Sequence, residues 1–156
     1  MNRTYKVGII GATGMVGQRF VTLLDAHPLF TPVVLAASSR SAGKPYAQAV
    51  GEKWAMTVPI PDYAKNMTVL DAENDAAKIA AAVDFIFCAV NMKKEEIKAL
   101  EEKYAKPEVP VVSNNSAHRG TPDVPMIIPE INSDHLAVIA SQRTRLGTKR
   151  GFIAVK

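Results

Sequence analysis

The densest chemical signal is a glycine-rich run, Gly11-Ala12-Thr13-Gly14-Met15-Val16-Gly17, set between an apolar stretch and an amphipathic one. A tight turn at such a junction aims backbone N–H groups and the positive end of a helix at an anion, and a pyrophosphate fits that geometry. Gly14 lets a nucleotide approach the backbone closely, and Gly17 lets the helix pack near the strand. The spacing is GxxGxxG rather than GxGxxG, so Ala12 and Thr13 alter the turn. A purely structural strand–helix turn is the plainer alternative.

The end of the next apolar run bears on which dinucleotide fits. A site for NAD places Asp or Glu there, about 20 residues past the glycines, to accept from the ribose 2′-hydroxyl. Here Val33–Ala37 runs into Ser38-Ser39-Arg40-Ser41 with no acid in it. A carboxylate would repel a 2′-phosphate, whereas Arg40 can grip one bidentately, with serine hydroxyls alongside. NADP is favoured over NAD. The bland alternative is a solvated arginine in a polar loop.

A third stretch, Ser113-Asn114-Asn115-Ser116-Ala117-His118-Arg119, gathers amide, hydroxyl, imidazole and guanidinium groups after an apolar run. Arg119 is a natural clamp for phosphate or carboxylate. His118 alone is weak ground for acid–base work, because a lone loop histidine is more often exposed or structural. Asp123–Asn132 brings Glu130 and Asn132 to another apolar-run end. Cys88, the one cysteine, lies inside an apolar run without a local base or cation, so it reads as a small buried hydrophobe and not a nucleophile. A single cysteine excludes an internal disulfide and a multi-cysteine zinc cage, and no metal site is expected.

Positioning these groups takes an alternation of strands and helices. Tyr5–Ile10 reads as a short buried strand ended by Gly11. Met15–His27 follows as a helix, with Val16, Phe20, Leu23 and Leu24 at helical spacing and Pro28 beyond. Pro32–Ala37 is the next strand, and Ser38–Pro61 a loop with a short helix around Tyr46–Val50. A strand at Met67–Leu70 leads to an alanine-rich helix at Asn74–Ala82, capped by Asn74 or Asp75. Asp84–Val90 is apolar almost throughout, as in a strand buried on both faces. Lys93–Tyr104 is a charged helix with Ile97, Leu100 and Tyr104 on one side. Further strands are expected at Pro110–Ser113, Met126–Ile128 and Phe152–Val155, with a helix through His135–Arg143 capped by Ser133. The pattern implies an α/β fold: a Rossmann-like, doubly wound, mostly parallel sheet with helices on both faces. Ligands then sit outside the carboxyl ends of the strands.

The chain's 156 residues suit one domain with a core of its own, and 47% hydrophobic with 22% charged residues argues against disorder. The net charge of +4, from 19 Lys+Arg against 15 Asp+Glu, suits an anionic small ligand. Arg143, Arg145, Lys149 and Arg150 cluster without interleaved aromatics, which reads as a helix end and turn and not a nucleic-acid surface. The longest apolar runs, such as Phe85–Val90, are too short to span a bilayer, and Val7–Ile10 is too short for a signal peptide's core. The cytoplasm is the expected location, with neither membrane nor nucleic acid as a partner. The chain closes on a strand, Gly151–Lys156, which motivates the expectation that residues 1–156 are an NADP-binding domain cut from something longer.

Together, Gly11–Gly17, Ser38–Ser41, Ser113–Arg119, Asp123–Asn132 and Gly151–Lys156 resemble aspartate-semialdehyde dehydrogenase. The likeness is closest to its archaeal and fungal-like branch and covers essentially the whole chain. It implies reductive dephosphorylation: NADPH reduces a thioester made from aspartyl 4-phosphate, giving the semialdehyde and inorganic phosphate on the route to lysine, threonine and methionine. It implies that Thr13, Gly14, Met15 and Val16 hold the pyrophosphate beside Gly11, and that Ser38, Arg40 and Ser41 hold the 2′-phosphate. Ala89 and Asn91 would lie along the cofactor, Asn115 and Arg119 would bind phosphate, and Ser116 would sit near the nicotinamide.

The family's nucleophile is a cysteine in an Asn-Cys motif just after a segment like Gly151–Lys156. Its catalytic histidine lies in a later substrate domain, which also makes most of the oligomer interface. Neither has a counterpart here, so the chain is expected to bind cofactor without a catalytic residue of its own, and the full-length protein to be a homo-oligomer. Malonyl-CoA reductase and N-acetyl-glutamyl-phosphate reductase, which share the thioester logic, stay as alternatives. So does a stand-alone NADP-binding module that senses redox state or serves a partner.

Overall fold

Strand–helix alternation becomes one sheet covered on both sides. The structure, a computed structural model, describes residues 4–156. In chain order its elements are β1 (Tyr5–Ile10), α1 (Met15–Leu23), β2 (Phe30–Ala37), α2 (Tyr46–Val50), α3 (Asp62–Lys65), β3 (Leu70–Asp71) and α4 (Ala76–Ala82). Then come β4 (Phe85–Cys88), α5 (Lys94–Ala105), β5 (Val111–Ser113), α6 (Pro129–Asn132), α7 (Ile139–Leu146) and β6 (Ile153–Val155). The strands lie in the order β3-β2-β1-β4-β5-β6, and every neighbouring pair is parallel. This is the Rossmann-like doubly wound arrangement. The order reverses between β1 and β4, where chain crossing to opposite faces opens a crevice beyond the strand ends.

Period-2 alternation splits the core into two layers. Val7 and Ile9 of β1, with Leu35 and Ala37 of β2, pack on one side against Val21, Tyr46 and Ala64. Ile10, Val34 and Ala36 face the other side, against Ile79, Leu100 and Tyr104. Each fully buried isoleucine or leucine contributes about 1.5–3 kcal/mol over the exposed state, which is why both faces must be covered.

Several boundaries differ from the sequence expectation for local reasons. α1 stops at Leu23 and not His27: the chain turns through Ala26 at φ 52°, and His27 Nδ1 accepts from the N–H groups of Leu29 and Phe30. β2 begins at Phe30, ahead of Pro32, because a register shift lets Val7 pair with Pro32 and Gly8 with Val34. A proline without an N–H donor is tolerated at such a bulge. The strand expected at Met67–Leu70 is Leu70–Asp71 only, while Thr68 bridges Pro45 in antiparallel sense. Met126–Ile128 is no strand: Met126 makes one isolated bridge to Val155. Ser133 is not the cap expected: it is the first residue of a 3₁₀ turn whose N-cap is Asn132. The helical path begins at Pro129, at the first position where its missing N–H costs nothing. It passes through a 3₁₀ turn at Ser133–Val138 and continues as α7 to Gly147, a left-handed cap at φ 71°. Among the described residues no helix is long and apolar enough to cross a membrane.

Candidate functional site

A cleft of about 330 Å³ opens where β1 and β4 diverge. The glycine turn forms one wall through Gly11, Thr13 and Gly14, and Ala37–Arg40 after β2 a second. Asp71–Asn74 after β3 and Ala89–Met92 after β4 complete it. Of the residues singled out by sequence, Gly11, Thr13, Gly14, Ser38, Arg40, Ala89 and Asn91 are brought together here. Met15 and Val16 are exposed on the first turn of α1, outside the lining. Ser41 turns back, its N–H donating to Ser38 O at 2.9 Å, and Ser116 lies exposed on the loop after β5.

The glycines take distinct parts in building the turn. Gly11 has φ +88°, and a Cβ there would meet Ala89 O at 2.2 Å. A Cβ on Gly17 would meet Gly11 O at 2.0 Å, so α1 rests directly on the strand end. At Gly14, by contrast, the nearest atom to a Cβ is Gly11 O at 3.6 Å. Its open side faces the cleft, where a ligand backbone can come close. Gly14 caps α1 without a side chain, and no acidic residue stands in the first turn. The first N–H groups of a helix have no intrahelical partner, so this positive end suits a phosphate. The free helix start, the open approach at Gly14 and Arg40 on the facing wall give the cleft donors of the kind a dinucleotide's phosphates need.

Two side chains that sequence reading missed hold the turn from behind. Gln18 is 2% exposed, and its amide donates to Thr13 O and to Lys53 O, both at 3.0 Å, while its oxygen accepts from Ala55 N–H at 2.8 Å. The buried Tyr46 hydroxyl donates to Ala12 O at 2.7 Å, and burial pushes that phenol well above its usual range. A third unforeseen residue is Asp71, an acid at the cleft rim. Its carboxylate accepts from the N–H groups of Glu73 and Asn74 at 2.9 Å, and these bonds hold it below the usual carboxylate range. It therefore fixes the turn that leads to α4, whose N-cap is Asp75, one of the two residues expected there, without a side-chain capping hydrogen bond.

The Ser113–Arg119 loop presents two sides. Asn114 and Arg119, with Lys156, line an open hollow of about 430 Å³ whose floor includes Ile128 and Ile131. Arg119 Nε donates to Lys156 O at 3.0 Å, which anchors the guanidinium at the rim. Ser113, Asn115 and His118 point inward and are buried. The Asn115 amide donates to Glu101 Oε1 at 2.9 Å and lies 3.4 Å from Cys88 Sγ, away from the hollow. His118, expected to be exposed or structural, is 2% exposed. Cys88 is fully buried on β4, and burial with Glu101 beside it drives the thiol well above its usual range. No group of three or more His, Cys, Asp or Glu side chains is arranged to hold a metal among the described residues.

The side chains of Arg143, Arg145 and Arg150 are engaged internally. Arg145 forms a close pair with Asp123 and a 2.9 Å pair with Glu102. Arg143 lies over the Phe152 ring, and Arg150 donates to Asp84 O.

Comparison with known proteins agrees with this geometry. The family described as semialdehyde dehydrogenase, NAD binding domain, matches residues 6–139. The chain is 43% identical to the aspartate-semialdehyde dehydrogenase of Methanothermobacter thermautotrophicus over 94% of its length, but spans 40% of that protein. It is 39% identical to the malonyl CoA reductase (NADP) of Metallosphaera sedula, covering 98% of this chain and 40% of the relative. The crystal structure of the Candida albicans aspartate semialdehyde dehydrogenase with NADP superposes with a TM-score of 0.83 at 33% identity, over 97% of this chain and 42% of that one. The chain thus spans about two-fifths of the relatives it matches. With its parallel sheet, glycine turn and crevice at the strand-order reversal, it belongs to the semialdehyde dehydrogenase family, as that family's NAD-binding domain.

Proposed function

We propose that this chain is the NADP-binding part of an aspartate-semialdehyde dehydrogenase, which converts aspartyl 4-phosphate, by way of an enzyme thioester, to the semialdehyde and inorganic phosphate. The observation that carries the reading is the cleft between β1 and β4, with an unneutralised helix start on one wall and Ser38–Arg40 on another. When bound there, NADPH supplies the hydride. The chain's own residues bind and orient. Gly11 and Thr13 to Val16 receive the pyrophosphate, Ser38, Arg40 and Ser41 the 2′-phosphate, and Ala89 and Asn91 line the path toward the nicotinamide, with Ser116 at its far side. We assign Arg119 the direct contact with the substrate phosphate or released inorganic phosphate. Asn115 supports that loop from within, since its amide is buried against Glu101 and Cys88. The burial of Cys88 supports a nucleophile from outside these residues. The two-fifths coverage of relatives supports reading residues 1–156 as one domain of a longer enzyme, to which we assign a cytoplasmic location and a homo-oligomeric state.

Arg40→Ala tests the cofactor assignment. NADPH binding should weaken by about 1.5–3 kcal/mol, as for hydrogen bonds to a charged group, while NADH binding stays level. Equal losses for both cofactors would refute it. A second reading, malonyl-CoA reduction, is favoured by the 39% identity to a protein of that name. Activity of the full-length enzyme on aspartyl phosphate against malonyl-CoA decides between them.

A further inference from the structure

Cys88, Glu101, Ser113, Asn115 and His118 form a polar cluster inside the protein, each at most 8% exposed. Glu101 enters it from the buried face of α5. Its Oε1 accepts from the Ser113 hydroxyl and, at 2.9 Å, from the Asn115 amide. The Ser113 oxygen in turn accepts from Asn115 N–H at 3.0 Å. Glu101 Oε2 and His118 Nε2 are both buried without a hydrogen-bond partner among the described residues, and they lie 4.0 Å apart. An orphaned buried polar atom is costly, and at 4.0 Å these two stand too far apart for a direct hydrogen bond, so the carboxyl group is tied to the loop through Oε1 alone. The far side of the imidazole is held, with Nδ1 3.0 Å from Thr121 Oγ1.

Three residues of one loop therefore converge on a single carboxyl group, while Asn114 and Arg119 of the same loop look out into the hollow. We propose that Glu101 is the positioning residue of this loop, holding Ser113 and Asn115 through Oε1 and so aiming Asn114 and Arg119 at a phosphate. The proposal rests on the reading of the hollow as a phosphate site. Burial raises the carboxyl group and lowers the imidazole. Glu102, Lys98 and Arg145 act on His118 from outside the cluster, Lys98 through its backbone carbonyl as well as its charge, and the Cys88 thiol adjoins Glu101.

The test measures inorganic phosphate and NADP binding by calorimetry for the parent, Glu101→Gln, Glu101→Ala, Ser113→Ala and Arg119→Ala. In Glu101→Gln the amide oxygen still accepts from Ser113 and Asn115, so phosphate affinity should stay within about threefold of the parent. Glu101→Ala should weaken phosphate about tenfold or more with NADP affinity unchanged. Equal losses of phosphate and NADP, or no loss of phosphate, would each overturn the proposal. If Glu101→Ala does not fold, Ser113→Ala decides: it removes one bond to Oε1, so phosphate should weaken severalfold with NADP unchanged, and no loss overturns the proposal. A parent that binds no phosphate, or an Arg119→Ala variant that binds it fully, overturns the site reading itself, and the positioning role falls with it. That outcome is recognisable because it appears with Glu101 untouched.

Discussion

Cys88 shows how the same residue type is silenced or armed by its surroundings. On β4 it is fully buried, next to a carboxyl group and without a cation, so the thiolate is disfavoured twice over. Alkylating reagents at pH 8 should therefore leave the native protein unmodified and label it only as denaturant unfolds it; rapid native labelling would contradict the buried, protonated thiol. The burial of Cys88 was legible in the sequence from its apolar run alone, and the place of Arg40 on the ligand side from its position just after a strand. Gln18, Tyr46, Asp71 and Glu101 were not. Their partners lie far along the chain, as with Gln18 and Lys53 or Tyr46 and Ala12, and no local pattern marks a polar side chain that satisfies a distant carbonyl.

The glycine turn is where strand and helix meet, and substitution separates its two tasks. Gly17→Ala sets a methyl against backbone at 2.0 Å, so α1 must lift from β1, at a cost of about 1–3 kcal/mol or more. Gly14→Ala meets nothing closer than 3.6 Å and should leave the thermal midpoint nearly unchanged while weakening NADP. Midpoints and NADP affinities of both variants check this, and a destabilised Gly14→Ala with normal binding per folded molecule would reverse the assignment. Strands and helices with strong periodicity, such as Tyr5–Ile10 and the helix after Lys93, were readable. The stretch from Met126 to Val138 was not. There an apolar triplet touches β6 at one point, Ile127 N–H donating to Val155 O and Val155 N–H to Pro125 O, and the pairing goes no further before the chain turns into α6 at Pro129. Asn132 takes Ile128 N–H and Met126 O with its own side chain, a contact that no local pattern announces.

At the scale of the molecule, stability should depend on acid. Asp71, Asp123 and Glu102 are held below their usual range, the first by backbone N–H groups, the others chiefly by Arg145 against the opposing effect of burial. Depressed carboxylates stabilise the fold above their unfolded values, and that contribution is lost as pH falls through their folded ones. His118, lowered by burial, likewise loses its contribution as pH falls through its folded value, whereas Glu101, raised by burial, loses its own as pH rises through its folded value. Asp123→Asn should lower the midpoint at pH 7 by about 2–4 °C, for a loss of about 1 kcal/mol. The gap from the parent should narrow as the carboxylate protonates; a constant gap from pH 7 to pH 3 would exclude the ionic origin.

The Glu108 carboxylate accepts from three consecutive N–H groups, those of Lys149, Arg150 and Gly151, in the stretch where the positive charge of the chain is most concentrated. With Arg145 already paired to Asp123 and Glu102, the most basic part of the sequence presents little field to a passing polyanion. The cations near the cleft are Arg40 in its wall and Lys44, whose ammonium donates to Arg40 O at 3.0 Å, and exposed charges reach only about 8 Å through physiological salt. Encounter is thus governed by the mouth of the cleft, and the net charge of the chain is a poor guide to how fast its ligand arrives.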